Sequence, residues 1–284
     1  MDLSTKTNKL LYLGPEGTYS HIAACEIIEK YNLKDVQLEP IGAIKSIIDF
    51  ADKNDVLAVV PIENSIEGVV RETIDNLTRA EDKKLKICAE YILPINHCLL
   101  AKEKISKDKI KTILSYTQPL AQCRNYIIEN FGSEVNIRET NSTAAAAQML
   151  LTSDSSTAAI ANIQAANVYG LEIIEKNIND IKDNKTRFVV LSKNPSAPTQ
   201  NDRTSIVFAT TNTPGALCDI LMIFKKYNIN LSYIDSRPSL KNLKEYNFYI
   251  DFDGHMDSEI VQSAISEMFE YTTFFRHNGS YPKF

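Results

Sequence analysis

Short apolar runs closed by polar turns, each followed by an amphipathic stretch, recur through the first two thirds of the chain. Leu10 to Leu13 reads as a strand. The turn Gly14-Pro15-Glu16-Gly17-Thr18-Tyr19-Ser20 follows, with Ser20 as N-cap of a helix over His21 to Tyr31. Val36 to Leu38 predicts a strand and Ala43 to Lys53 an amphipathic helix. Val56 to Val60 has the continuous apolar character of a buried parallel strand. It stops at Pro61, and Ser65 is placed to cap a helix running to Leu77. The same order then repeats. Lys111 to Ser115 is a strand, Gln118 to Asn130 a helix, Val135 to Ile137 a strand and Ser142 to Leu151 an Ala-rich helix. Thr157 to Ala161 is again a buried-type strand, with Asn162 in the turn beyond it. Two β-α-β-α-β runs imply two α/β lobes with parallel sheets, the second spanning about 102–165. Leu85 to Leu100 connects them, and Leu171 to Ile174 with Arg187 to Ser192 is expected to return to the first lobe.

The polar stretch from Asn194 to Asp202, with two prolines, reads as a linker between domains 1–193 and 203–284. Beyond it the periodicity changes. Thr204 to Thr210, Leu231 to Ser236, Tyr246 to Phe252 and Tyr271 to Arg276 read as strands. Helices are expected from Pro214 to Tyr227 and from Asp257 to Phe269. The order β-α-β-β-α-β is ferredoxin-like.

With 284 residues the chain can bury more than one core. A net charge of −5 and the lack of any basic run longer than a pair argue against a nucleic-acid partner. The polar start, Met1 to Lys9, lacks the apolar core of a signal peptide, and no stretch approaches a membrane span. A cytoplasmic location with no membrane association is therefore expected. Five scattered cysteines without a C-x-x-C pair fit reduced thiols. His21, His97, His255 and His277 are far apart, which argues against a metal site. His97, in an apolar run, reads as a satisfied core histidine. The dinucleotide and P-loop glycine motifs are both missing.

Ligands of open α/β sheets sit beyond the carboxyl ends of the strands. Here those ends carry Gly14 to Ser20, Glu63-Asn64-Ser65, Ser115 to Gln118, Asn141-Ser142-Thr143 and Asn162, all rich in hydroxyls and amides. Turns that open helices favour anions. The stretch Asn184-Lys185-Thr186-Arg187-Phe188 runs into the apolar Val189-Val190-Leu191 and brings a hydroxyl, a guanidinium and an aromatic ring to one strand mouth. Alternation along a strand points Thr186 and Phe188 one way and Arg187 the other. Chemistry built from these parts runs on positioning and hydrogen bonds.

Gly14 to Ser20, Pro61-Ile62-Glu63-Asn64-Ser65-Ile66-Glu67-Gly68 and Asn184 to Phe188 stand in the order and spacing of prephenate dehydratase signatures. Leu120 to Cys123, Ser142 to Ala144 and Tyr169 to Leu171 add lesser ones, and the chain resembles that family over nearly its whole length. It departs at Ser115-Tyr116-Thr117-Gln118, where the family has Ser-His-Pro-Gln. The resemblance implies a catalytic domain like a type II periplasmic binding protein and a cofactor-free conversion of prephenate to phenylpyruvate. The alternative substrate is arogenate, and the alternative of another class is a non-enzymatic binder of small anions. By the same resemblance, Thr186 hydrogen-bonds or protonates the leaving hydroxyl, and Glu63 is a rival proton donor if burial raises its pKa. Asn64 and Gln122 orient the ring, with Ser115 near them. Arg187 and the helix starts at Ser65 and Ser142 hold carboxylates, Thr18 and Thr143 line the same site, and Phe188 is a wall of it or plain core.

The C-terminal part resembles the ACT domain that binds phenylalanine as an allosteric effector. The matching segments are Gly215-Ala216-Leu217-Cys218 and Asp235-Ser236-Arg237-Pro238, with Asp235 one methylene shorter than the family's Glu. They imply an effector site over Asn212, Pro214, Gly215, Ala216, Leu217, Asp235, Ser236, Arg237 and Pro238. A homodimer or homotetramer paired through these domains is expected.

Overall fold

The structure, a computed structural model, describes residues 8–79, 84–238 and 246–284. Among these residues the strands form three sheets. The first takes β1 (Lys9–Leu13), β2 (Gln37–Ile41), β3 (Leu57–Asn64), the two-residue β4 (Gly68–Val69) and β5 (Lys86–Pro94). Helices α1 (Tyr19–Lys30), α2 (Ile44–Asn54) and α3 (Arg71–Thr78) lie between them. The chain then crosses to a second sheet of β6 (Cys98–Ala101), β7 (Thr112–Ser115), β8 (Asn136–Glu139), β9 (Thr157–Ala161) and β10 (Glu172–Lys176). Its helices are α4 (Thr117–Gln122), α5 (Arg124–Phe131), α6 (Thr143–Leu150) and α7 (Ile163–Tyr169). Strand β11 (Lys185–Ser192) returns to the first sheet and wedges antiparallel between β3 and β5. The third sheet contains β12 (Asp202–Thr210), β13 (Leu231–Pro238), β14 (Tyr246–Asp253) and β15 (Thr272–Pro282), in the order β13-β14-β12-β15. With α8 (Ala216–Lys226) and α9 (Glu259–Met268) it runs β-α-β-β-α-β.

Several boundaries differ from the sequence reading, each for a local reason. Thr18, not Ser20, caps α1: its Oγ1 accepts the His21 N–H at 3.2 Å. No helix starts at Ser65, because the carboxamide oxygen of Asn64 takes the N–H groups of Ile66 and Glu67 and folds those residues into a turn. β4 follows, and α3 begins only at Arg71. The helix expected over Gln118 to Asn130 breaks at Cys123, whose backbone leaves helical geometry at ψ 20°. Glu172 to Lys176 pairs antiparallel with β6, so it closes the second sheet rather than rejoining the first. That sheet accordingly draws strands from Cys98 to Lys176, a wider span than 102–165.

The first sheet has two differently covered faces. Leu10, Tyr12, Val59, Phe188 and Val190 pack under α1. On the other face Leu11, Ala58, Val60, Val189 and Leu191 meet α2 and α3, and the same cluster continues into Val207, Tyr249 and Tyr281 of the third sheet. The first and third sheets therefore share a core, despite the polar stretch between them. Within that stretch Ser196 is buried and its carbonyl accepts from the His255 imidazole at 3.2 Å. The Asp202 carboxylate takes the Thr199 N–H and hydroxyl at 2.7 and 2.6 Å.

Candidate functional site

The carboxyl end of β3, the mouth of β11, the end of α4 and the crossing between the lobes meet in one polar cluster. At its centre Thr186 is nine-tenths buried, and its Oγ1 accepts from Asn64 Nδ2 at 2.9 Å. Asn64 is oriented by the turn beyond it, since the Ile66 and Glu67 N–H groups, both at 3.0 Å, hold its oxygen. Its Nδ2 also donates to Asn184 Oδ1 at 2.8 Å. Asn184, 1% exposed, donates from Nδ2 to Gln122 Oε1 at 3.0 Å, which ties the first lobe to α4 of the second. Gln122 Nε2 returns to Glu67 Oε1 at 3.1 Å. The lobes meet again where Asn162, the N-cap of α7, donates to the Gly17 carbonyl at 2.7 Å. Gly17 carries φ +82°, and a Cβ there would come within 3.3 Å of Ala165 Cα, so the turn must stay bare.

His97 belongs to the same cluster. It is buried as a core histidine would be, but its ring joins the Tyr19 hydroxyl (2.7 Å) to Gln122 Oε1 (3.0 Å). Burial lowers its pKa, so the ring is neutral. Desolvation raises the Tyr19 phenol well above its usual value. Sequence reasoning does not single out Asn184, His97, Tyr19 or Glu67 as site residues. The only signal is that Tyr19, Glu67 and Asn184 stand inside quoted motifs.

Other expected members lie elsewhere. Arg187 faces the third sheet. Its Nε reaches Glu90 Oε2 at 2.8 Å, its Nη1 reaches Asp251 Oδ2 at 2.7 Å, and its Nη2 donates to the Tyr281 hydroxyl at 2.7 Å. Desolvation would lower its pKa, but Tyr281, Asp251 and Glu90 outweigh that and raise it. A guanidinium so engaged is not available to hold substrate carboxylates. Glu63 points to the same side, opposite Asn64. It is 42% exposed and 4.0 Å from Arg187, so the burial its acid role required is missing. Ser115 is fully buried and donates to the Ile160 carbonyl at 2.7 Å, which commits its proton within the second sheet. Phe188, 1% exposed, is core under α1 rather than a wall of the site. Ser65 heads no helix, and its Oγ accepts the Lys185 N–H at 2.9 Å. Thr18 spends its hydroxyl on the Leu13 carbonyl at 3.1 Å while it caps α1. Ser142 does cap α6, accepting from Ala145 N–H at 3.0 Å, and Thr143 is buried in the first turn. That helix start remains a donor surface for an anion.

In the third sheet β12 and β13 run parallel on either side of β14, so Asn212 to Leu217 and Asp235 to Pro238 lie at one end. Gly215 is left-handed at φ +89° immediately before α8. The Arg237 Nε lies 3.1 Å from Asp235 and 3.3 Å from Asp75 of α3. Among the described residues no cluster could hold a metal ion, and no helix is long and apolar enough to cross a membrane.

Residues 10–196 match the family model described as prephenate dehydratase. The chain is 40% identical over 279 residues to the prephenate dehydratase of Methanocaldococcus jannaschii, covering 97% of this chain and 98% of that protein. It is 39% identical over 280 residues to the bifunctional chorismate mutase/prephenate dehydratase of Aquifex aeolicus, covering 98% and 74% respectively. A crystal structure of prephenate dehydratase from Arthrobacter aurescens in complex with L-Phe superposes with a TM-score of 0.87 at 31% identity, over 97% of this chain and 90% of that one. Motif order, whole-length similarity and fold agree, and the chain belongs to the prephenate dehydratase family.

Proposed function

We propose that this chain converts prephenate to phenylpyruvate at the junction of its first two sheets and is inhibited by L-phenylalanine bound at the third. The observation that carries the reading is the state of Thr186. Its oxygen is taken up by Asn64, and its hydroxyl proton has no acceptor among the described residues. It is therefore a directed donor. In the reaction the ring carboxylate leaves as carbon dioxide, the freed electron pair enters the ring, and the ring C–O bond breaks. The departing oxygen takes up a proton and leaves as water, and aromatisation supplies the driving force. Thr186 donates its hydrogen bond to that oxygen, Gln122 presents an N–H to the dianion, and the α6 start at Ser142 and Thr143 holds a carboxylate. Fixed donors aimed at developing charge are typically the largest catalytic contribution.

The first two sheets are the lobes of a domain like a type II periplasmic binding protein, and the third is an ACT domain. Supporting the effector assignment, both glycine-proximal and Asp235 segments converge at one sheet end, and the Arthrobacter relative was solved with L-Phe. Supporting self-association, β13 is an edge strand whose Ile234 is 45% exposed, and α8 exposes Leu221 and Met222. The test is phenylpyruvate formation by purified protein given prephenate, with and without L-phenylalanine, and with arogenate run in parallel. Suppressible turnover of prephenate is expected. Turnover of arogenate alone would reassign the substrate, and turnover of neither would overturn the reading.

A further inference from the structure

Four residues of the cluster form a closed ring of hydrogen bonds that all run one way, three between side chains and the fourth from a backbone N–H. Asn64 donates to Asn184, Asn184 to Gln122, Gln122 to the Glu67 carboxylate, and the Glu67 N–H back to Asn64. Nothing in this ring is free to reverse. The Ile66 and Glu67 N–H groups only donate, so Asn64 must turn its oxygen to them. The Glu67 carboxylate accepts, so Gln122 must turn its nitrogen to it. Gln122 Oε1 then receives two donors at 3.0 Å each, Asn184 Nδ2 and His97 Nε2, which fill both lone pairs. With Gln122 Oε1 facing it, His97 carries its proton on Nε2, and Nδ1 shares the Tyr19 hydroxyl proton, at 2.7 Å, with the Asn96 carbonyl at 2.8 Å. A flipped Gln122 would face two donors with its own N–H edge and a carboxylate with its oxygen.

We propose that Asn184 and His97 are positioning residues for the dehydration: together they lock the Gln122 amide so that only its N–H edge can meet the substrate. The inference rests on the reading that this site binds prephenate. A dianion approaching Gln122 then meets the nitrogen of its amide, one N–H of which is held by Glu67. Neither positioning residue needs to touch the substrate, because each acts through the Gln122 oxygen.

The test is a double-mutant cycle on the full-length chain. Asn184→Asp keeps the acceptor for Asn64 but removes the donor to Gln122, whose amide then turns its nitrogen toward the new carboxylate and its oxygen toward the substrate. KM for prephenate is expected to rise about tenfold or more, with kcat falling much less, the signature of lost uniform binding. In a Gln122→Leu background the same substitution should change kcat/KM by less than about twofold, because coupled sites are non-additive. A cost that persists undiminished in that background would mean direct repulsion between the introduced carboxylate and the substrate, and would overturn the proposal, as would wild-type kinetics for the single variant. Thermal unfolding checks the fold. If Asn184→Asp does not fold, His97→Leu and His97→Gln decide. The glutamine can restore the donor, so it should recover the KM lost in the leucine variant, and equal KM values in the two would overturn the proposal. A wild-type chain inactive on prephenate would sink the proposed function instead, before any variant is read.

Discussion

Thr186 and Arg187 are neighbours in sequence, yet they serve opposite faces of β11. Thr186 meets Asn64 at the junction of the lobes, while Arg187 meets Glu90 and Asp251 against the third sheet. Thr186→Ala removes the directed donor and nothing from the core. Phenylpyruvate formation should fall about 10²- to 10³-fold, the usual loss for one such donor, with an unchanged unfolding curve. Thr186→Ser should retain part of the rate. The histidines set the pH response. Burial, then the charges of Lys86 and His255, lowers the His277 pKa to about 4, and burial lowers those of His97 and His21 as well. Each is neutral in the folded chain and takes up protons more readily when unfolded. Their stabilisation is therefore complete above the ordinary histidine pKa of about 6.5 and is lost as pH falls toward 4. Denaturant unfolding at stepped pH should show stability falling through that window, and His277→Gln should flatten the slope.

At the scale of elements, β15 is held to β5 by close approach rather than by a ladder. A Cβ on Gly279 would lie 2.1 Å from the Ile87 carbonyl oxygen, and its φ is +145°. No side chain fits between these backbones. Gly279→Ala should destabilise the chain by about 1–3 kcal/mol from overpacking alone, read as a lower denaturant midpoint. The Lys86 ammonium reaches the His277 carbonyl beside it, and Phe284 stacks edge-on against Tyr91 with ring centroids 4.9 Å apart. The end of the chain is thus part of the seam between sheets.

For the whole molecule, that seam is organised by Arg187. Glu90 is 2% exposed and takes Arg187, Arg203 Nη1 at 2.5 Å and the Phe284 N–H at 3.0 Å. Asp251, fully buried, takes Arg187 and the Ser205 hydroxyl. Removing one partner of a buried ion pair strands the others and typically costs about 3–5 kcal/mol. Arg187→Met should lose stability on that scale in chemical denaturation. If the side chain instead held substrate, the variant would unfold normally and lose only its affinity for prephenate. Arg187→Lys should fall between, since one ammonium cannot reproduce the forked contacts. The seam also runs directly behind the candidate site, because Arg187 adjoins Thr186 on β11 and Glu63 adjoins Asn64 on β3.

Sequence alone determined the parts whose cause is local. Apolar runs bounded by turns marked β1, β3, β7, β9 and β11, because a buried strand needs little more than its own pattern. The family resemblance carried by the motifs named Thr186, Asn64 and Gln122, which the fold brings into one hydrogen-bonded cluster. What pattern could not decide was partnership. Strand alternation places Arg187 opposite Thr186, but only the packing of the third sheet supplies Glu90, Asp251 and Tyr281 and turns a candidate anion binder into a structural bridge. His97 reads as core from its apolar neighbours, and only the crossing of the chain between lobes sets its ring between Tyr19 and Gln122. The side-chain to side-chain hydrogen bonds of this cluster join residues 25 to 122 positions apart, and local sequence carries no record of such distances.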